Sequence, residues 1–371
     1  MPNITVFTAE KLHDVADHFA LASQPTDIHR YGDGHINDTF LCEGKTRYIL
    51  QRLNTTIFTE PLGVMKNIVS VSEEIARQVE KEGGDPLRES MSVIPTKEGL
   101  TYYIDSEKNF WRVYLFIGES LSLNLPRNAE DFRQAAFAFG RFQYYLREYP
   151  AASLFTSIPH FHDTPKRYQD FLTAVNQDPL GRKKGVLAEI SFVEERSTRF
   201  GQVQDELAKG LLPTRVTHND TKLNNVLLDE KTGRALAVID LDTIMPGSAL
   251  YDFGDSIRFG ANTGKEDEKD LSKVSLSLPL FQTYLDGYLE GCHSALTKRE
   301  IEELPLGAYL MTMECGIRFL SDYLLGDTYF RIAYPDHNLI RARDQFALVK
   351  DMEKKEKALA AIVEAKMENM K

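Results

Sequence analysis

Thr217–Asn225 reads THNDTKLNN, and after a turn Val238–Asp242 reads VIDLD; these two segments decide how the 371-residue chain is understood. The runs Asn225–Leu228 and Leu236–Ile239 are β-prone and flank the turn DEKTG, so they are expected to form a hairpin. That arrangement sets Asp220, Asn225, Asp240 and Asp242 at the ends of short strands. Hard oxygen ligands so placed, beside a further carboxylate, suit Mg²⁺-assisted phosphoryl transfer. In such chemistry the metal neutralises charge on the transferring group, while a separate carboxylate orients or deprotonates the acceptor hydroxyl. Any one of these residues alone could simply cap a turn. Four in this order, with a hairpin between them, argue for chemistry.

Upstream the chain reads as a small mixed lobe, residues 1–118. A helix is expected within 9–22, ended by SQPTD. DIHRYGDGHINDTFLCEGKTRYILQRLN then reads as strand, Gly-rich turn, strand, turn and strand. A helix over 62–81 stops at KEGGDP, and strands follow around Thr101–Ile104 and Phe110–Phe116. Beyond 118 the pattern becomes mainly helical, defining a second lobe over 119–371. Helices are expected at 129–147, 304–325 and 343–368, with one more carrying Val186, Ile190, Val193, Phe200, Val203 and Leu207. The fold class expected is α+β, in two lobes.

The charge balance, 44 basic against 55 acidic residues, gives a net charge of −11 and disfavours nucleic acid and anionic membranes as partners. Cys42, Cys292 and Cys315 lie far apart with no C-x-x-C spacing, which fits a reducing compartment. No secretory signal pattern opens the sequence and no run of eighteen apolar residues occurs, so a cytoplasmic location without membrane contact is expected.

H-x-D-x-x-x-x-N, followed by I-D-x-D, resembles the aminoglycoside phosphotransferase and choline kinase superfamily, which is built like a protein kinase. The matching positions are His218, Asp220, Asn225 and Asp240. The resemblance implies that Asp220 is the catalytic base and that Asn225 and Asp240 hold Mg²⁺, with Mn²⁺ as an alternative ion. YGDGHINDTF, RYILQ, FHDTP, THNDTKLNN, IDLDTIMPGS, DFGDSIRFGA and MECGIRFL together resemble the N-acetylhexosamine 1-kinases of that superfamily, over most of the chain. This implies ATP-dependent phosphorylation of the anomeric hydroxyl of N-acetylglucosamine or N-acetylgalactosamine. A monomer is expected. Rival readings are a kinase of another small alcohol (an aminoglycoside, choline or another hexose) or a non-catalytic nucleotide-binding protein. Asp252–Gly254 spells the protein-kinase D-F-G signature but lies too far beyond Asp220; Asp252 and Asp255 are expected to brace the catalytic loop or approach the substrate.

Within that frame the turn Gly32–Asn37 is expected to cover the ATP phosphates through Gly32, Gly34 and Asn37, because glycine lets backbone N–H groups approach an anion closely. His35 at its tip can reach the acceptor, or can be an exposed turn residue. The third strand carries Gln51 or Arg52 where related kinases place a phosphate-pairing Lys, and alternation lets only one face the nucleotide. The adenine edge is expected near Phe116–Glu119. On the helix 304–325, Glu314, Arg318 and Asp322 align at i, i+4 and i+8. They form either a surface ion-pair ladder or a row facing the acceptor, with Arg318 on the sugar hydroxyls. Phe259 and Tyr329 could stack on the sugar or serve as packing.

Overall fold

The structure is a computed structural model that describes residues 7–32 and 36–370. Gly34 and His35 therefore lie outside the described residues.

An antiparallel sheet dominates the first third of the chain. Strands β1 (Asp27–Arg30), β2 (Asp38–Glu43), β3 (Tyr48–Leu53), β4 (Val93–Ile94), β5 (Tyr103–Ile104) and β6 (Phe110–Leu115) are arranged in the order β1-β2-β3-β6-β4, with β5 also paired to β6. Helix α1 (Ala9–Asp17), capped by the Thr8 side chain, contributes Leu12, Val15 and Ala16 to the cluster on one face with Leu50, Trp111 and Val113. Helix α2 (Pro61–Lys81) buries Val64, Ile68, Val71 and Ile75 on the other face, against Leu53, Phe110 and Tyr114. Residues 110–114 of β6 are all buried because the strand is covered on both sides. One of them, Arg112, is charged, and its alternation with Trp111 and Val113 turns it toward α2.

After the short helix α3 (Pro86–Glu89) and strand β7 (Ser120–Ser122), the chain is mainly helical: α4 (Ala129–Tyr145), α5 (Thr164–Gln177), α6 (Leu187–Glu194), α7 (Gln202–Ala208), α8 (Ala249–Gly260), α9 (Leu278–Cys292), α10 (Lys298–Glu302), α11 (Leu304–Leu325) and α12 (His337–Asn369). Two small β units interrupt them: β9 (Val226–Asp229) pairs with β10 (Ala235–Val238) and β7, and β8 (Arg215–Thr217) pairs with β11 (Met245–Gly247). The expected hairpin is thus present within one residue at each strand end. The single helix expected over 186–207 is corrected to α6, a 3₁₀ turn at Ser197–Arg199, and α7. Ser197, Thr198 and Gly201 are weak helix formers, and the break lets Phe192, Phe200 and Val203 all reach one core cluster.

Two contacts set the frame of the site. Gly254 of α8 meets Gly307 of α11 so closely that a Cβ on Gly254 would lie 2.3 Å from the Gly307 carbonyl oxygen. This approach holds α11 directly behind the helix that braces the loop Thr217–Asn225. On the sheet side, Asn67 of α2 donates to the carbonyls of Phe155 and Ile244, tying that helix to the segment after Asp240. Among the described residues no helix is long and apolar enough to cross a membrane.

Candidate active site

The loop Thr217–Asn225 leaves β8 and is held from below by α8. The Asp252 carboxylate accepts the backbone N–H groups of His218 and Asn219, each at 2.8 Å, and the Asp252 carbonyl accepts the Thr221 hydroxyl at 2.7 Å. Ser256 donates to the Thr221 carbonyl at 2.9 Å. Burial pushes the Asp252 carboxyl up despite these donors and the neighbouring His218. The D-F-G tripeptide is therefore helical and braces the loop; Asp255 is paired with Arg258 at 2.9 Å.

Asp220 is half-buried at the loop's apex. Asn225 Nδ2 donates to Asp220 Oδ2 at 3.0 Å and to the Asp220 carbonyl at 2.7 Å, and Lys222 pairs with Asp220 Oδ1 at 2.8 Å. Burial works against the Lys222 charge, but Asp220 outweighs it and the ammonium is raised above its ordinary value. The Ile239 N–H donates to the Asn225 carbonyl at 2.9 Å, which sets Asp240 directly beside Asn225. Asp240 adopts a left-handed conformation, φ 62°, ψ 58°, and is exposed toward the cleft although protein crowds it. That crowding, followed by the charges of Asp242 and Asp220, pushes its carboxyl up to about 7.

These observations test whether a divalent cation fits. With both donor hydrogens of Asn225 directed at Asp220, its amide oxygen is the remaining ligand atom beside Asp240. The excess negative charge that raises Asp240 is what a cation would offset. Among the described residues no three His, Cys, Asp or Glu side chains form a cage. Two protein oxygens completed by phosphate and water is the usual Mg²⁺ arrangement, so the residues fit.

On β6, Arg112 is buried against two polar partners. Its guanidinium pairs with Asp242 at 2.6 Å and donates to Gln51 Oε1 at 2.9 and 3.1 Å. Gln51 and Arg112 are register partners on β3 and β6, so both point to the same face of the sheet, whereas Arg52 points to the opposite face and pairs with Asp38. Burial opposes the Arg112 charge, but Asp242 more than compensates and holds it protonated. Asn37 donates to Asp242 Oδ2 at 2.7 Å and accepts the Asn54 N–H, fastening the end of the Gly-rich turn to the segment after Asp240. Gly32 has φ 75°, a conformation suited to glycine. Arg112→Met should strand the buried Asp242 carboxylate and lower stability by about 3–5 kcal/mol. Chemical denaturation checks this, and a loss below about 1 kcal/mol would mean that the pair does not hold the two segments together.

On α11 the charged row does not form a ladder. Glu314 is buried and accepts from His162 and Thr164. Asp322, likewise buried, accepts the N–H groups of Thr328, Tyr329 and Phe330. With both acids turned inward, the half-buried Arg318 guanidinium has no hydrogen bond or ion pair among the described residues. It lies 5.4–6.0 Å from the ring centres of Phe161, Tyr329 and Phe330. Tyr329 is 73% exposed, which leaves its ring open to a ligand. Phe259 is half-buried on the last turn of α8.

At the strand junction Arg47 lies over the Phe116 ring at 4.3 Å, and the Phe116 N–H is bonded to the Arg47 carbonyl. Glu119 is engaged elsewhere: its carbonyl accepts the Glu230 N–H and its carboxylate pairs with Lys231 at 2.9 Å. Three residues in or around the site escaped the sequence reading. Lys222 sits two positions after Asp220; Arg112 is a lone charge in the apolar run FWRVYL; His162 lies within FHDTP.

An antiparallel sheet over a helical body, with an Asp–Asn–Asp constellation between them, defines a kinase-like phosphotransferase fold. The chain matches the phosphotransferase enzyme family over residues 27–288, well over half its length, and belongs to that family. Among solved structures it is similar to an aminoglycoside phosphotransferase from Alicyclobacillus acidocaldarius, with TM-score 0.61 and 13% identity, covering 98% of each chain. It is also similar to a microcompartment-associated aminopropanol kinase, with TM-score 0.57 and 14% identity, covering 94% of this chain and 98% of that one. A spectinomycin phosphotransferase in complex with ADP and spectinomycin has TM-score 0.57 and 12% identity, covering 92% of this chain and 99% of that one. At these identities the likeness concerns the fold.

Proposed function

We propose that this protein transfers the γ-phosphate of ATP to the anomeric hydroxyl of an N-acetylhexosamine, N-acetylglucosamine or N-acetylgalactosamine, giving the sugar 1-phosphate and ADP. The observation that carries the choice of acceptor is the Arg318 guanidinium, without an ion-pair partner among the described residues and set beside Phe161, Tyr329 and Phe330. A cationic acceptor calls for carboxylates, and the two acids nearest Arg318 on its helix are spent on His162, Thr164 and the 328–330 backbone. A neutral polyol carrying an apolar acetyl group suits a charged donor set among aromatic faces.

In this reading residues 1–118 cover the nucleotide and residues 119–371 carry the catalytic loop and acceptor site. Asp220 accepts the proton of the attacking hydroxyl. Asn225 and Asp240 would hold Mg²⁺, which supplies charge neutralisation on the transferring phosphoryl group when bound. Gly32, Gly34 and Asn37 belong to the turn over the phosphates, and Arg112, oriented by Gln51, supplies positive charge from the sheet in place of a third-strand Lys. The adenine edge falls to the backbone near Phe116, with Glu119 flanking it. His35, Phe259 and Tyr329 complete the acceptor side with Arg318.

An ADP-release screen of sugars and amino alcohols with Mg-ATP tests the assignment: N-acetylhexosamines should exceed aminoglycosides, choline and simple hexoses in kcat/KM. Preference for an amino alcohol would replace the acceptor reading by the rival one. Arg318→Ala should lower kcat/KM for the sugar by about ten- to a hundredfold, the loss of a charge-assisted hydrogen bond worth about 1.5–3 kcal/mol. The KM for ATP should barely change. Normal sugar kinetics in a folded variant would retire Arg318 from the site.

A further inference from the structure

His162, in the segment FHDTP (Phe161–Pro165), has no role of its own in the function proposed above, yet it meets the catalytic loop from behind. His162 Nδ1 donates to Glu314 Oε1 at 2.9 Å, where the two side chains are only 10% and 2% exposed. His162 Nε2 faces the Asn219 carbonyl at 3.5 Å. On the other edge of the same peptide unit, the Asp220 N–H donates to His218 Nδ1 at 3.3 Å, and His218 Nε2 donates to the Ile239 carbonyl at 2.9 Å. We infer that His162 is a positioning residue: with His218 it clamps the peptide between Asn219 and Asp220 and so fixes the direction of the Asp220 carboxylate.

Asn219 has φ 66°, a left-handed conformation uncommon for a residue other than glycine, so the peptide plane that follows it needs external support. The ring thus sits between two acceptors, a carboxylate and a carbonyl, with one nitrogen directed at each. Glu314 is itself held by the Thr164 hydroxyl at 2.8 Å and lies on α11 one turn before Arg318. One helix thus carries both the proposed grip on the acceptor and the support of the proposed base.

This inference rests on Asp220 acting as the base. The test compares variants on whichever alcohol the screen returns, or on acceptor-independent ATP hydrolysis if none is returned. His162→Ala should lower kcat by about ten- to a hundredfold, with KM for ATP and acceptor within about threefold, since misplacement damages the chemical step. His162→Gln, which keeps an N–H donor, should recover part of that loss. Glu314→Gln should lower kcat in the same direction, and the double variant should be no worse than His162→Ala, because the two act through one chain of contacts. Normal kcat in His162→Ala, a loss confined to KM, or losses that multiply in the double variant would overturn the inference. Should His162→Ala fail to fold, normal kcat in both His162→Gln and Glu314→Gln overturns it. Asp220→Asn retaining turnover would instead remove the base assignment, and this inference with it.

Discussion

Asp220→Asn is expected to lower turnover by about 10²–10⁴, the scale of general acid–base catalysis, with Mg-ATP affinity nearly unchanged. The substitution preserves volume, and the loop does not depend on the Asp220 carboxylate for its shape. Asp252 holds the His218 and Asn219 N–H groups, and the Asn225 amide also donates to the Asp220 carbonyl. What the amide loses is the ability to take a proton and the full charge that pairs with Lys222. Steady-state kinetics with the best acceptor, together with nucleotide titration, checks the split. Turnover within tenfold of the parent protein would take the base role from Asp220.

Much of this site was legible in the sequence because its parts are local. THNDTKLNN and VIDLD carry the loop and the carboxylates, and the turn between them announces the hairpin that brings Asn225 beside Asp240. The contacts that escaped are long-range. Arg112 reaches Asp242 across 130 positions, and His162 reaches Glu314 across 152. No periodicity encodes such a pairing. The row on α11 shows the same limit from the other side: spacing placed Glu314, Arg318 and Asp322 on one face, but it could not say that both acids would find partners elsewhere. The helix read across 186–207 failed where apolar spacing continued through residues of weak helical preference, because tertiary packing decided the bend.

Asp240→Ala should abolish phosphoryl transfer, a fall of at least about 10³, yet leave the metal-free protein as stable as the parent or more so. The two expectations follow from one observation. Asp240 stands near Asp220 and Asp242 in a crowded cleft, and that crowding together with these neighbours pushes its carboxyl up to about 7. Without a cation its charge is a burden on the fold, so its removal costs the apoprotein nothing. With a cation it is the proposed charged ligand beside the Asn225 amide, and two protein oxygens leave no substitute for it. Thermal melting with and without Mg-ATP separates these effects: the parent should gain stability from Mg-ATP, and the variant should lose most of that gain. Excess chelator should silence the parent protein reversibly, with Mg²⁺ or Mn²⁺ restoring it. Sustained activity in chelator would refute metal-assisted transfer, and a variant that melts far below the parent without metal would show that Asp240 serves the fold, because a residue held only for its ligand cannot be missed when the ligand is absent.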